Sequence, residues 1–187
     1  MENSQAGVHD FLISEFCNHP ASPFRGDTFV VANTARRGPH MGRWTRPDLT
    51  LVALQKLSIL KRIDCEIITF EIKREEYGDI TAVFEAVAHT RFAHYAYVVW
   101  HFPEASQRWK SFEEIKNNCH AHGIGLITFD EPFTLTSYQM IITPERKNPH
   151  PYDVDQFISN MPSESLSVKM LSYQNHLWFN SLSERGP

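Results

Sequence analysis

Two apolar runs on either side of a short polar stretch constrain the fold of this chain more than any other feature. Residues 49–54 are almost entirely apolar, and residues 65–73 hold three isoleucines and one phenylalanine. Short runs rich in β-branched and aromatic residues predict strands. The spacing allows an antiparallel hairpin. A turn centred between positions 59 and 60 places position 48 opposite position 71, because both are equidistant from that centre.

Three charged side chains come together if this hairpin forms. Alternation along a strand puts Glu71 and Lys73 on one face, and the register brings Asp48 beside them. Carboxylate oxygens bind Mg²⁺, which neutralises charge on a phosphate during phosphodiester hydrolysis. Asp48 and Glu71 are the predicted ligands, the backbone carbonyl of Ile72 is a further candidate, and Lys73 would polarise the attacking water.

Each member of this trio also has a structural interpretation. An aspartate after proline is common in turns, so Asp48 could simply precede a strand. Glu71 and Lys73 could form an exposed charge pair. Charges at the end of a buried strand are costly unless they are paired or bind a metal. We therefore favour the catalytic interpretation.

The remaining pattern predicts an α/β fold. Apolar spacing predicts helices over 8–16, 80–92 and 111–122, and strands over 28–32, 95–100 and 124–129. In the second helix, Val83, Phe84 and Val87 form the apolar stripe. In the third, Ser111 and Glu114 match a capping box and Gly123 a stop signal. Weaker patterns predict helices over 154–160 and 165–179. The order α-β-β-β-α-β-α-β indicates one mixed central sheet flanked by helices.

The residues Pro47, Asp48, Glu71 and Lys73 resemble the motif of the PD-(D/E)xK nuclease superfamily, over roughly residues 8–129. The resemblance implies a restriction-endonuclease-like core over residues 1–130 and a C-terminal extension over 131–187 that packs on it. It implies a Mg²⁺-dependent nuclease, with Mn²⁺ as a substitute, that hydrolyses DNA in restriction, phage defence or repair. An inactive relative that binds nucleic acid or protein is the alternative.

The same resemblance suggests two accessory acids. Glu15, on the helix before the motif, matches an acidic residue that often joins the metal site. Glu85 matches a supporting polar residue on the helix after the motif, where many relatives carry glutamine. Either glutamate could instead lie on a solvated helix face, and His89 follows Glu85 by one turn on that same face.

An arginine-rich loop precedes Asp48. Arginine forks match phosphate oxygens, so the loop could guide a nucleic-acid backbone, or it could be a solvated loop that needs charge. Its four arginines are Arg36, Arg37, Arg43 and Arg46.

Composition limits the setting of the protein. A net charge of −4 argues against coating nucleic acid by bulk electrostatics. Three widely spaced cysteines indicate neither a disulfide framework nor a zinc ribbon. We find no signal peptide and no apolar run long enough to span a membrane. We therefore expect a cytoplasmic protein that acts on nucleic acid as a homodimer or inside a larger complex.

Overall fold

The computed structural model describes residues 2–17, 28–35 and 46–161, which form a six-stranded sheet with helices on both faces. The strands are β1 (Thr28–Asn33), β2 (Leu49–Leu57), β3 (Arg62–Lys73), β4 (Tyr95–His101), β5 (Gly125–Phe129) and β6 (Gln139–Ile142). The helices are α1 (Glu2–Phe11), which continues into a π-helical turn (Leu12–Phe16), α2 (Ile80–His89), α3 (Trp109–His122) and α4 (Pro151–Ser159). Short 3₁₀ turns cover Glu75–Tyr77 and Leu135–Ser137.

The six strands lie side by side in chain order. Strands β1, β2 and β3 pair antiparallel, β3, β4 and β5 pair parallel, and β6 returns antiparallel to β5. The two parallel connections run through α2 and α3, as parallel neighbours require a crossover. The predicted α/β fold with a mixed central sheet and flanking helices is therefore confirmed.

The central hairpin has the register that the sequence predicted. Leu49 lies opposite Phe70, so the next pair outward is position 48 with position 71. The strands are longer than predicted at the turn end, and Lys61 adopts a positive φ of 50° close to the turn. Phe70 and Ile72 are buried in the core on one face, which leaves Glu71 and Lys73 on the opposite face.

The first face of the sheet is covered by α1 and its π-helical turn. Val8, Leu12 and Phe16 pack there against Phe70 and Tyr97. The helix begins well before the predicted residue 8, because its first two turns also pack beside the sheet, where Gln5 is buried.

The second face is covered by α2, α3 and α4. Helix α2 turns Ala82, Val83 and Ala86 inward, so the predicted stripe is only partly right: Phe84 is exposed and His89 is buried. The helix packs against both the sheet and its neighbour α3, which moves the buried face toward the small alanines. Small side chains permit a close approach of the helix to the sheet.

The predicted start of the third helix is wrong. Helix α3 begins at Trp109, and no side chain caps its first turn, so Ser111 lies inside the helix rather than at its start. Gly123 does end it, in the left-handed conformation at φ 64°. Strand β6 lies in the predicted extension and joins the sheet beside β5, although no strand is predicted there from the sequence. The predicted helix over 165–179 lies outside the described residues.

Within the described part of the chain, none of the helices combines the length and apolarity needed to cross a membrane.

Candidate active site

Asp48 is held rigidly at the start of β2. Its backbone N–H donates to the carbonyl of Phe70 at 3.1 Å, and its own carbonyl accepts from Thr34 N at 3.0 Å. The hydroxyl of Thr34, which is buried, donates to the carbonyl of Pro47 at 2.7 Å. The side-chain Oδ2 of Asp48 accepts from the N–H of Ile72 at 2.8 Å. The carboxylate of Asp48 is thereby fixed beside the end of β3.

Lys73 lies between two carboxylates. Its Nζ is 2.7 Å from Glu71 Oε1 and 2.6 Å from Glu85 Oε2. Glu71 comes from the same strand, whereas Glu85 reaches in from α2, whose start is capped by Asp79. The structure thus brings Asp48, Glu71, Lys73 and Glu85 together, in a cleft of about 550 Å³ that all four residues line.

Burial and neighbouring charges shift the pKa values of the ionisable residues in this cleft. Burial raises the pKa of Glu71 well above its ordinary value, and the nearby charge of Asp48 raises it further. Burial also raises the pKa of Asp48, although the hydrogen bond from Ile72 and the charge of Lys73 oppose that shift. For Lys73, burial lowers the pKa, but its pairs with Glu71 and Glu85 outweigh this and the net shift is upward. Lys73 is therefore an ammonium at neutral pH.

Ile72 lies between the two charged residues of β3 and lines the same cleft. Its N–H points toward Asp48. Because the N–H and C=O of one strand residue face the same neighbour, the Ile72 carbonyl also faces the β2 side. The role of that carbonyl as an additional oxygen ligand stays a prediction.

Gln5 is a site residue that the sequence did not reveal. The side chain of this buried residue of α1 donates to Asp48 Oδ1 at 3.3 Å and accepts from Asn33 Nδ2 at 3.3 Å. Gln5 and Asp48 are 43 residues apart, so no local pattern could have linked them. The chain from Asn33 through Gln5 orients the second oxygen of Asp48.

His89 is a buried residue that the sequence placed on a helix face with Glu85. It is 1% exposed, and neither ring nitrogen has a hydrogen-bond partner within the described residues. Its Nε2 lies 3.9 Å from Glu71 Oε2. Burial, together with the charge of Lys73, lowers the pKa of His89 to about 3, so the ring is neutral. A small shift of the Glu71 carboxylate would let His89 donate to it.

The structure leaves several other predicted site residues without a test. Glu15 belongs to the π-helical turn (Leu12–Phe16), but its side chain lies outside the described part of the structure, as do Arg36, Arg37 and Arg43. Arg46 is described and half-buried, and its Nε has no hydrogen-bond partner among the described residues.

Neither the metal nor the family is established by further observations. Across residues 2–17, 28–35 and 46–161, no group of three or more histidine, cysteine or acidic side chains is arranged to hold a metal ion. No protein-family model matches the chain, and no curated protein matches it either.

Proposed function

We propose that this chain is a Mg²⁺-dependent phosphodiesterase that cleaves DNA, with a restriction-endonuclease-like core. The observation that carries the proposal is the register of the β2–β3 hairpin. It sets the Asp48 carboxylate beside Glu71 and Lys73 at the rim of an open cleft. Hydrolysis of a phosphodiester needs this combination of hard oxygen ligands and a fixed cation.

The donor set suits Mg²⁺. This ion commonly binds through one or two carboxylates and keeps several waters or substrate oxygens as its remaining ligands, so Asp48 and Glu71 are sufficient protein ligands, with the Ile72 carbonyl as a third. The two carboxylates are buried side by side, and each has a raised pKa. A divalent cation would relieve that repulsion. When bound, it would supply Lewis-acid stabilisation of charge on the phosphate.

The protein's own residues account for the other steps. Lys73 contacts both Glu71 and Glu85 in the cleft, so with Glu71 as a metal ligand the Lys73 ammonium would still keep Glu85 as its partner. Because the pKa of Lys73 is raised, its side chain stays a positively charged ammonium. It orients water and stabilises the phosphate and does not act as a base. Gln5 keeps Asp48 in place throughout.

A module that binds nucleic acid or protein without cutting is the second candidate. The observation in its favour is that Lys73 already contacts both Glu71 and Glu85, so the cleft is partly neutralised without any metal. In this second candidate, the ion pairs of Lys73 with Glu71 and Glu85 are purely structural. The two candidates differ in whether divalent metal changes the behaviour of the protein.

Free cysteines support our placement of the protein in the cytoplasm. Cys17, Cys65 and Cys119 are all unpaired. Burial raises the pKa of each thiol to about 12, so each is protonated at neutral pH. Unpaired structural cysteines are typical of reducing compartments.

Cleavage assays test the proposal directly. Linear, circular and branched DNA, and RNA, are incubated with Mg²⁺ or Mn²⁺ and the wild type, Asp48→Asn or Lys73→Met. Lys147→Met is the matched control, because Lys147 also pairs with a glutamate, Glu145, at 3.2 Å but outside the cleft. We expect metal-dependent cleavage that both site variants lose and the control keeps. Binding of DNA without cleavage in either metal would favour the second candidate.

A further inference from the structure

A second cleft lies at the same edge of the sheet as the candidate active site. Strands β3, β4 and β5 are parallel, so their carboxyl ends, at Lys73, His101 and Phe129, meet at one edge. The first cleft opens at the end of β3. The second, of about 470 Å³, is lined by residues that directly follow β4 and β5, including Phe102 and Asp130.

Each cleft carries an aromatic ring that is largely exposed. Tyr77 lines the first cleft and is 64% exposed, and Trp109 lines the second and is 55% exposed. Trp109 packs in T-shaped geometry against Phe102 and Phe112, with ring centroids 5.1 Å and 5.7 Å away. These contacts fix the orientation of the indole while leaving much of its surface open.

Hydrogen bonds connect the two segments that carry these rings. Arg108, immediately before Trp109, donates to the carbonyls of Glu75 at 2.7 Å and Gly78 at 2.8 Å, on either side of Tyr77. The indole of the buried Trp100 donates to the carbonyl of Arg74 at 3.2 Å. The segment that carries Tyr77 is therefore tied to the start of α3, so the backbones that carry the two rings are fixed relative to each other before any ligand arrives.

Exposed, prepositioned aromatic rings beside cations suit unpaired nucleobases. Each base has a flat face that stacks on such a ring, whereas the bases of a duplex already stack on one another. The cations are Arg74, three residues before Tyr77, and Lys110, which follows Trp109, and both are exposed. Glu104 and Asp130 line the second cleft, where their carboxylates would repel phosphates but would accept hydrogen bonds from base amino groups. Bases would thus face the cleft and phosphates would face outward.

We propose that the substrate is single-stranded nucleic acid, with bases stacked on Tyr77 and Trp109 and the adjoining backbone led into the cleft of Asp48, Glu71 and Lys73. This inference rests on the proposed nuclease function for its final step only. The stacking surface itself is a binding site that does not require catalysis.

Binding without metal tests the inference. Fluorescence anisotropy in EDTA measures the Kd for a labelled single strand of about 20 nucleotides, as DNA and as RNA, and for the matching duplex. We expect at least one single strand to bind about tenfold tighter than its duplex. Tyr77→Ala and Trp109→Ala should each weaken that binding about tenfold, the loss of one stacked base. Trp109→Phe, which keeps a ring, should retain most of the affinity.

Tyr152→Ala is the matched control, since Tyr152 is a 63% exposed ring on α4, outside both clefts; thermal melting verifies that each variant is folded. Equal or tighter duplex binding, or unchanged single-strand binding in both alanine variants, would overturn the inference. Ring-dependent binding of single strands by a chain that cuts nothing would support it and refute the nuclease. Metal-dependent cutting of duplex DNA without ring-dependent binding would do the reverse.

Discussion

Replacing Glu71 by glutamine should stabilise the metal-free protein at neutral pH, even though Glu71 is a proposed metal ligand. Burial raises the pKa of Glu71 well above its ordinary value, and the charge of Asp48 adds to this shift. The ionised carboxylate is therefore less favourable in the folded chain than in the unfolded chain. Glutamine keeps the shape of the side chain and removes the charge, while Lys73 retains Glu85 at 2.6 Å as its partner.

The sign of the pH dependence follows from the raised pKa. A carboxyl whose folded pKa lies above its unfolded pKa favours folding at low pH, and this contribution is lost as pH rises through the folded value. The advantage of Glu71→Gln should therefore be small at about pH 4 and grow toward neutral pH. Each unit by which the folded pKa exceeds the unfolded pKa makes the ionised carboxyl less favourable by about 1.4 kcal/mol in the folded chain. The upward shift of the Glu71 pKa already includes the opposing attraction of Lys73, so we expect a gain of about 1–2 kcal/mol, or a Tm rise of about 2–8 °C.

Thermal and urea unfolding in EDTA, from about pH 4 to pH 8, measure this effect. Glu66→Gln is the control on the same strand, because Glu66 pairs with Arg146 at 2.9 Å near the surface; its stability should change by less than about 0.5 kcal/mol. A Glu71→Gln variant that is less stable than the wild type across the whole pH range would refute the reasoning. The Lys73–Glu71 pair would then outweigh the cost of burying the carboxylate.

Three further predictions concern the same edge of the sheet. Mg²⁺ at about ten times its Kd should stabilise the wild type by about 1.4 kcal/mol, and Asp48→Asn should lose this Tm shift in a melting assay. Gln5→Leu should weaken Mg²⁺ binding about tenfold or more in calorimetry, because residues that orient a ligand typically contribute that much. Gly78→Ala should lower the unfolding free energy by about 1–3 kcal/mol in urea, because a Cβ there would lie 2.0 Å from the buried Trp100 ring.

The sequence predicted the central part of the site because strand geometry is regular. A period of two along each strand and one fixed turn centre determine which residues of a hairpin face each other. The pair of Leu49 with Phe70 confirms that centre. Counting residues from the turn centre therefore predicts that Asp48, Glu71 and Lys73 lie close together. The same count predicts that Ile72 is buried.

Contacts between distant elements were beyond the same reasoning. Arg108 bonds to carbonyls 30 and 33 residues away, and no local signal marks the start of α3 at Trp109. The burial of His89 depends on how α2 packs against the sheet and against α3. The apolar stripe of a helix does not specify that packing. Strand β6 spans only four residues, none of them buried, so its apolar run is too short to identify a strand from the sequence.

Convergence from separate elements is the strongest reason to regard this cleft as functional. A chance P-D and E-x-K pair would explain charges on one hairpin, but not the arrival of Gln5 from α1 at Asp48 and of Glu85 from α2 at Lys73. Buried acids with raised pKa values reduce the stability of the fold. This cluster lowers the stability of the fold, yet residues from both faces of the sheet hold it in place. Such an arrangement is expected where the binding of a ligand offsets the lost stability.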